Sequence, residues 1–182
     1  MDAQVLGRAQ AGDEAAFVII YEEFSPAIHR FAYRLLGQQE QADDITQETF
    51  IRAYEHLARL DADANLSAWL YRIAANACQD ALRRRRRITW VPMFDDEAAD
   101  AAFATADDFV PQVIEAQAIA RVLAEMPPAL ATTLVLRSVE GFSCEEIADI
   151  MGVPKGTVFS RLARAREQFT RIYARVGREE PA

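Results

Sequence analysis

The feature that most constrains the fold of this chain is a break in its helical pattern between residues 88 and 111. On either side, apolar residues recur three and four positions apart, which is the spacing of one helix face. Inside the break, Pro92 and Pro111 flank a stretch rich in Asp and Ala. The 182 residues include only seven Gly and seven Pro, and the remaining composition favours helix. We therefore predict an all-α fold with two small helical domains, at 1–87 and 112–178, joined by an acidic linker at 88–111.

The net charge of −8 hides a segregated charge pattern. Residues 1–87 carry 11 basic and 13 acidic groups, and residues 113–182 carry nine of each, whereas the linker carries six acidic groups and no basic one. Basic residues gather at Arg83–Arg87 and along 161–171. Nineteen of the 20 basic residues are Arg, whose planar guanidinium suits bidentate contacts to phosphates and base edges. The overall acidity therefore does not exclude a nucleic-acid partner.

Neither a membrane segment nor a disulfide framework is predicted. No apolar run reaches the roughly 18–20 residues that cross a bilayer, and the N-terminus is amphipathic with mixed charge, unlike a signal peptide. We expect a cytoplasmic protein without direct membrane insertion. Cys78 and Cys144 lie 66 positions apart and form no C-x-x-C pair, so a structural zinc site is not indicated.

Capping and breaking residues set the expected helix ends in the N-terminal half. Asp13 can cap a helix that runs up to Pro26 and continues beyond it to Gly37, a suitable C-terminal glycine. A second helix is predicted over about 40–59, followed by a loop over 61–67. Ser67 is the expected N-cap of a long helix that ends in the arginine run.

The strongest local signal is a helix-turn-helix pattern in the C-terminal half. Ser143 and Glu146 have the spacing of a capping box, Gly152 ends that short helix, and Pro154 opens the next one. Such a second helix can enter the DNA major groove, whereas the plainer interpretation is a helical hairpin with a solvated basic face. The residues expected on its outer side are Lys155, Thr157, Phe159, Ser160, Arg161 and Arg164.

The N-terminal half contains an acidic motif whose role the residues alone leave open. Asp44 and Glu48 are four positions apart, so their carboxylates share one helix face and are candidates for a metal site. Neither His29 nor His56 completes a metal-ligand pair with a carboxylate, which counts against a metal. Two other interpretations of the motif stay open, which are a solvated acidic face and a docking surface for a basic partner.

Aromatic and basic residues alternate along the helix predicted over 67–87. Trp69 and Tyr71 stand beside Arg72 and the arginine run, a combination that holds single-stranded nucleic acid by stacking beside a positive track. The alternative places Trp69 in the core and leaves the arginines as a solvated helix end.

Two blocks of sequence resemble one family, the extracytoplasmic-function (ECF) sigma factors of bacterial RNA polymerase. A-D-D-I-T-Q-E-T-F-I-R-A-Y at 42–54 and S-A-W-L-Y-R-I-A-A-N-A-C-Q-D-A-L-R-R at 67–84 resemble its region two. L-A-E-M-P-P-A-L and the helix-turn-helix block resemble its region four. The resemblance covers nearly the whole chain except the linker, in the order of the family.

The resemblance implies a promoter-specificity subunit that is not an enzyme, uses no cofactor and binds polymerase core, promoter DNA and an anti-sigma factor. By this resemblance, the domain at 1–87 docks on polymerase core and opens the −10 element. The domain at 112–178 recognises the −35 element through the residues expected on the outer side of the second helix of the helix-turn-helix. The core-binding residues by this resemblance are Asp43, Asp44, Gln47, Glu48 and Phe50. The −10 residues are Asn65, Ser67, Trp69, Tyr71, Arg72, Asn76, Asp80, Arg83 and Arg84.

Two other function classes compete with this interpretation. A stand-alone helix-turn-helix regulator explains the C-terminal half but not the acidic and aromatic motifs of the N-terminal half. An enzyme is disfavoured, because the chain has no Gly-rich phosphate loop and no nucleophile, base and acid set.

Overall fold

The protein is described by a computed structural model that covers residues 3–61, 64–88 and 110–179. Over these residues the structure is helical and contains no strand, so the all-α prediction is confirmed. The predicted linker lies outside the described residues except at its two ends. In the parts that are described, every helix is too short or too polar to cross a bilayer. The helices are α1 (Ala3–Gln10), α2 (Glu14–Leu36), α3 (Gln39–His56), α4 (Leu66–Ile88), α5 (Val110–Glu125), α6 (Pro128–Ser138), α7 (Cys144–Met151) and α8 (Lys155–Glu179).

Helix α2 runs unbroken through its internal proline. Asp13 caps its start by accepting a hydrogen bond from the backbone N–H of Ala16, and Gly37 ends it with a φ of 71°. Proline inside a helix costs roughly 3 kcal/mol, because it removes one backbone donor and crowds the preceding turn. Pro26 lies on the exposed side, while Ile20 and Ile28 on either side of it are fully buried. Their burial offsets the cost and keeps the two predicted pieces in one helix.

The start of α4 corrects the predicted cap. The helix begins at Leu66, and Asn65 rather than Ser67 is its N-cap, with Oδ1 accepting from the backbone N–H of Ala68 at 3.1 Å. Both Asn and Ser cap well, so local preference does not decide between them. Starting at Leu66 places this residue one turn before Leu70, and both leucines are buried. The preceding helix also ends earlier than predicted, at His56, and a single 3-10 turn at Leu57–Arg59 follows it.

The helix-turn-helix is formed as the sequence predicts. The backbone N–H of Ser143 donates to Glu146 Oε2 at 2.8 Å, and the Glu146 N–H donates to Ser143 Oγ at 3.2 Å, which completes the capping box. Gly152 ends α7 in the left-handed conformation, with a φ of 61°, and α8 begins after Pro154. The two helices pack through Ile147, Val158 and neighbouring apolar side chains, so the turn has a rigid apolar support.

The two halves of the chain share one continuous apolar core. Helix α4 contacts α2 and α3 on the N-terminal side and also contacts α6 and α7 of the C-terminal half. Helix α8 packs against α5, α6 and α7. The residues that the sequence predicts as two domains are therefore in direct contact, mainly through α4 and also through α2, which contacts α5 and α6.

We predict that Ser143→Ala lowers the free energy of unfolding by about 1 kcal/mol, the usual cost of losing an N-cap side chain. Thr170→Ala on α8 is the control, because Thr170 is exposed and its hydroxyl bonds to the carbonyl of Arg166 within the same helix. Urea denaturation followed by circular dichroism measures both variants. Equal stability of the two variants would contradict the capping role.

We predict that Cys78 does not react with a thiol reagent at pH 8 while the protein is folded. Burial, and to a smaller degree the charge of Glu48, raises the pKa of Cys78 to about 12, and its side chain is fully enclosed. Because only the thiolate is nucleophilic, roughly one thiol in ten thousand is reactive at that pH. Mass spectrometry after labelling with and without denaturant separates it from the half-buried Cys144. Rapid labelling of folded Cys78 would show that this part of the core opens.

Candidate functional site

The acidic face of α3 is the first candidate surface. Asp43, Asp44 and Gln47 are exposed, as predicted. Glu48 is half-buried, with Oε1 2.5 Å from Nη2 of Arg52 one turn later. This face therefore presents more negative than positive charge, and the nearby cation of Arg52 is already paired with Glu48.

The opposite side of α3 explains why the carboxylates stay on the surface. Thr46 and Thr49 are buried, and their hydroxyls donate to the carbonyls of Ala42 and Ile45, each at 2.7 Å. These bonds satisfy both hydroxyls within the helix, so the two threonines pack as apolar residues do. The helix can then keep one face dry while the acidic residues remain in water.

Beside the acidic face runs an open groove between α2 and α3, which we call the α2–α3 groove. Phe50 forms part of its floor: it is 4% exposed, and its ring centroid lies 4.9 Å from that of Tyr21. Around it, Tyr21, Ile51 and Tyr54 are about half exposed, at 45, 52 and 53%. Phe50 was predicted as a contact residue, but its ring lies below the surface. The neighbours that are exposed were missed, although Ile51 and Tyr54 follow the acidic residues at helical spacing.

One end of the α2–α3 groove carries a histidine against the acidic face. His29 Nε2 lies 3.0 Å from Asp43 Oδ1, and the His29 ring stacks on that of Tyr33. Gln39 also reaches both members of the pair. Asp43 is thus held in place by side chains of two helices, whereas Asp44 points to solvent without such support.

Helix α4 carries the second candidate surface. Arg72, Asn76 and Asp80 are exposed and follow one another at four-residue spacing, so they form one stripe along the helix. Arg83 extends the stripe and donates to Asp80 at 3.0 Å and to Gln79 at 3.3 Å. Arg84 is exposed, Ser67 and Trp69 are half-buried, and Asn65 is exposed at the start of the helix.

Tyr71 does not belong to that stripe. Its ring is 5% exposed and packs edge-on against Phe31 and Phe142, with centroids 5.2 and 4.9 Å away. The hydroxyl donates to Glu140 at 2.6 Å. Burial, and then the hydrogen bond to Glu140, raises the pKa of Tyr71 well above its ordinary value. The alternation of the sequence placed Tyr71 with the DNA residues, but in this structure it joins the two halves of the core.

The third candidate surface is the outer side of α8. Lys155, Phe159, Ser160 and Arg164 are exposed, with Phe159 at 54%, whereas Thr157 and Arg161 are half-buried. The inner side carries the buried residues Val158, Leu162 and Ala165. The predicted division of this helix into an apolar and a polar side is therefore present in the structure.

Two side chains on this surface are held by local contacts. Lys155 is paired with Glu145 of α7, and its Nζ lies 5.8 Å from the ring centroid of Phe159. The hydrogen bond from Lys155 holds the pKa of Glu145 below its ordinary value. Arg164 Nε donates to the carbonyl of Ser160 at 3.3 Å, which directs the guanidinium along the helix.

The described part of the chain contains no group of three His, Cys, Asp or Glu side chains with the arrangement of a metal site. Asp44 and Glu48, the carboxylate pair weighed as metal ligands, are accompanied by Arg52 rather than by a third ligand. What the three surfaces offer chemically is recognition by charge, aromatic contact and hydrogen bonding.

Two family models match the chain in order. The model of Sigma-70 region 2 matches residues 20–88, which include α3 and α4. The model of Sigma-70, region 4 matches residues 116–169, which include the helix-turn-helix. Together they cover all three candidate surfaces.

Solved structures share the fold. The structure of CnrH in complex with the cytosolic domain of CnrY covers 98% of this chain and 99% of that chain, with a TM-score of 0.71 and 22% identity. The sigma factor RpoE from Bartonella quintana, solved in complex with the anti-sigma factor NepR, covers 83% of this chain and 94% of that chain, with a TM-score of 0.61 and 26% identity.

Relatives with assigned roles extend over most of the chain. The RNA polymerase sigma-H factor of Pseudomonas aeruginosa is 36% identical over 91% of this chain and 90% of its own length. The ECF RNA polymerase sigma factor SigW of Bacillus subtilis is 31% identical over 88% of this chain and 90% of its own length. Since this identity spans both helical halves in the same order as the two family models, the chain belongs to the ECF sigma factors of RNA polymerase.

Proposed function

We propose that this sigma factor directs promoter-specific initiation through three separate surfaces. The α2–α3 groove and its acidic face bind polymerase core, the exposed stripe of α4 holds the opened −10 strand, and the outer side of α8 recognises the −35 duplex. The observation that carries the proposal is the two-sided structure of α8, whose Lys155, Ser160 and Arg164 are exposed over a buried apolar seam. A helix supported in this way can enter the major groove.

The chemistry of the α2–α3 groove favours a basic, partly apolar helical partner. Exposed carboxylates at Asp43 and Asp44 steer a positively charged surface toward the groove, mainly by raising the association rate. The affinity then comes from burying the large side chains, and aromatic residues such as Tyr21 and Tyr54 are typical centres of such contacts. Phe50 supports these rings from below.

The exposed stripe of α4 is suited to a single strand rather than to a duplex. Arg72 and Arg84 supply exposed positive groups for phosphates, and Asn76 supplies an amide that can both donate and accept. Trp69 is the aromatic residue on this helix that retains an exposed portion for stacking, since Tyr71 is enclosed by the core. Stacking contributes about 1–3 kcal/mol per base, which offsets part of the cost of opening.

The same groove is the proposed binding site of an anti-sigma factor. RpoE of Bartonella quintana was solved in complex with the anti-sigma factor NepR. A partner of this kind inactivates a sigma factor if it covers the residues that polymerase needs. Here Tyr21, Ile51 and Tyr54 are the large apolar side chains of the groove that such a partner would cover.

We predict that the double change Asp44→Lys and Glu48→Lys weakens binding to polymerase core at least tenfold without lowering thermal stability. Asp44 is exposed, and the half-buried Glu48 loses only a partly exposed ion pair with Arg52, a kind of contact that contributes little to folding. Asp149→Lys with Glu167→Lys is the control, since it changes the net charge equally on exposed residues of α7 and α8. Fluorescence anisotropy with labelled protein and purified core measures the affinity. Equal loss in both double variants would reduce the effect to net charge and contradict a specific docking face.

We predict that Arg164→Ala and Asn65→Ser impair transcription at different steps. Removing Arg164 takes a guanidinium from the duplex-binding helix, so promoter binding weakens and a pre-melted template does not restore it. Asn65→Ser keeps a capping oxygen for α4 but removes the amide donor, so duplex binding persists while opening is impaired. A pre-melted template then restores most of the activity.

The measurement is run-off transcription by reconstituted holoenzyme on duplex and pre-melted templates of the same promoter. Thr170→Ala serves as a control for substitution on α8, since its hydroxyl bonds within the helix. If the pre-melted template rescues both variants equally, or neither, the proposed division between α4 and α8 is wrong.

A further inference from the structure

The carboxylate of Glu140 in the C-terminal half contacts side chains of the N-terminal half. Glu140, in the turn after α6, accepts a hydrogen bond from the Tyr71 hydroxyl at 2.6 Å and another from Arg34 Nη1 at 3.1 Å. Its partners lie 69 and 106 residues earlier, on α4 and α2. The Glu140 side chain is only 11% exposed, so water contributes little to its solvation.

A carboxylate in that position depends on its two partners. Moving a charge out of water is costly unless hydrogen bonds and an opposite charge replace the solvent. Tyr71 stays protonated at physiological pH, because burial and the neighbouring carboxylate both disfavour the phenolate. It therefore donates at every pH at which the protein functions, and Arg34 supplies the compensating charge. When the halves separate, Glu140 regains water, so this contact exists only in the closed arrangement.

Further contacts between the halves surround Glu140. The Tyr71 ring packs on Phe142, the Gln79 amide lies 3.7 Å from the sulfur of Met151, and Asn65 Nδ2 donates to Glu146 at 3.3 Å. The contact with Glu146 occupies the amide of Asn65, which is the residue whose amide donor is proposed to assist opening of the −10 element. Closure and strand capture therefore compete for Asn65.

The closed arrangement is also too small for its promoter. Elements named −10 and −35 are about 25 base pairs apart, or about 85 Å along a duplex at 3.4 Å per base pair. A compact chain of 182 residues has a radius of gyration of only about 16 Å. Residues 89–109 can span at most about 75 Å when extended, which is enough to let the halves separate. Simultaneous contact with both elements therefore requires the halves to come apart.

We propose that Glu140 is a latch, which by its bonds to Tyr71 and Arg34 holds the free protein closed and must release both before α4 and α8 can engage a promoter together. The contact of Glu140 with Tyr71 and Arg34 is independent of the proposed function. Only its consequence for promoter binding rests on that function. The latch makes the apparent affinity for any partner of the open form depend on the fraction of molecules that are open.

The test measures the distance between the halves in the free, full-length protein. Spin labels are attached to cysteines that replace Glu22 on α2 and Glu167 on α8, both exposed, in a Cys144→Ser background. We expect a single narrow distance distribution for the otherwise unchanged protein. Glu140→Gln keeps the shape of the side chain but removes its charge, and a charge-assisted contact of this kind changes the closed-to-open ratio about tenfold or more. We therefore expect a second, longer distance population in this variant.

Two further variants separate a latch from a general loss of stability. Glu145→Gln removes a charge from the same half, but Glu145 is exposed and pairs with Lys155 within that half, so the distances should not change. Arg34→Gln removes the partner on the other side and should open the protein as Glu140→Gln does, with the double variant opening it little further. Circular dichroism melts check that each variant is folded.

A second measurement adds polymerase core to the spin-labelled protein. The latch proposal predicts that core shifts the unchanged protein to the longer distances seen in Glu140→Gln. Identical distance distributions for Glu140→Gln and Glu145→Gln would overturn the latch, whatever core does. Failure of core to bind would instead overturn the function proposed above and leave the distances of the free protein as they are.

Discussion

The packing of α4 between the two halves is the constraint on which the rest of the structure depends. Its middle is built from small side chains, with Ala74, Ala75, Ala77 and Cys78 all buried, so that neighbouring helices can approach it closely. Helices α2 and α3 contact it from one half, and α6 and α7 contact it from the other. A larger residue in this run would force neighbouring helices apart, because protein cores are close-packed. The exposed stripe of α4 is positioned by this burial.

Features that depend on neighbouring residues along the chain were predictable from the sequence. The capping box of Ser143 and Glu146, the glycine at 152 and the cap at Asp13 are present as expected, because a cap needs only the geometry of one turn. The polarity of α8 was predictable for the same reason, since helical spacing alone assigns its two sides. The all-helical fold follows from many such local signals that agree.

Features that depend on distant parts of the chain were not predictable. Tyr71 has the same local pattern as Trp69, and its burial depends on Phe142 and Glu140, which lie about 70 residues later. The choice of Asn65 over Ser67 as the cap depends on which leucines reach the core. Phe50 lies below the groove because Tyr21 on another helix covers it. In each case the missing information is a tertiary contact, which periodicity does not contain.

The pairing of Lys155 with Glu145 has a consequence for how DNA binding responds to salt. A basic side chain that neutralises a phosphate releases a condensed counterion, which adds about 0.9 to the slope of log K against log salt. Lys155 is already neutralised by a carboxylate of its own domain, so bringing it to a phosphate exchanges one anion for another and leaves Glu145 to recruit a cation. The number of ions released on binding should therefore be smaller than the number of basic residues on α8. DNA recognition by α8 then relies more on arginine and aromatic contacts than on bulk electrostatic attraction.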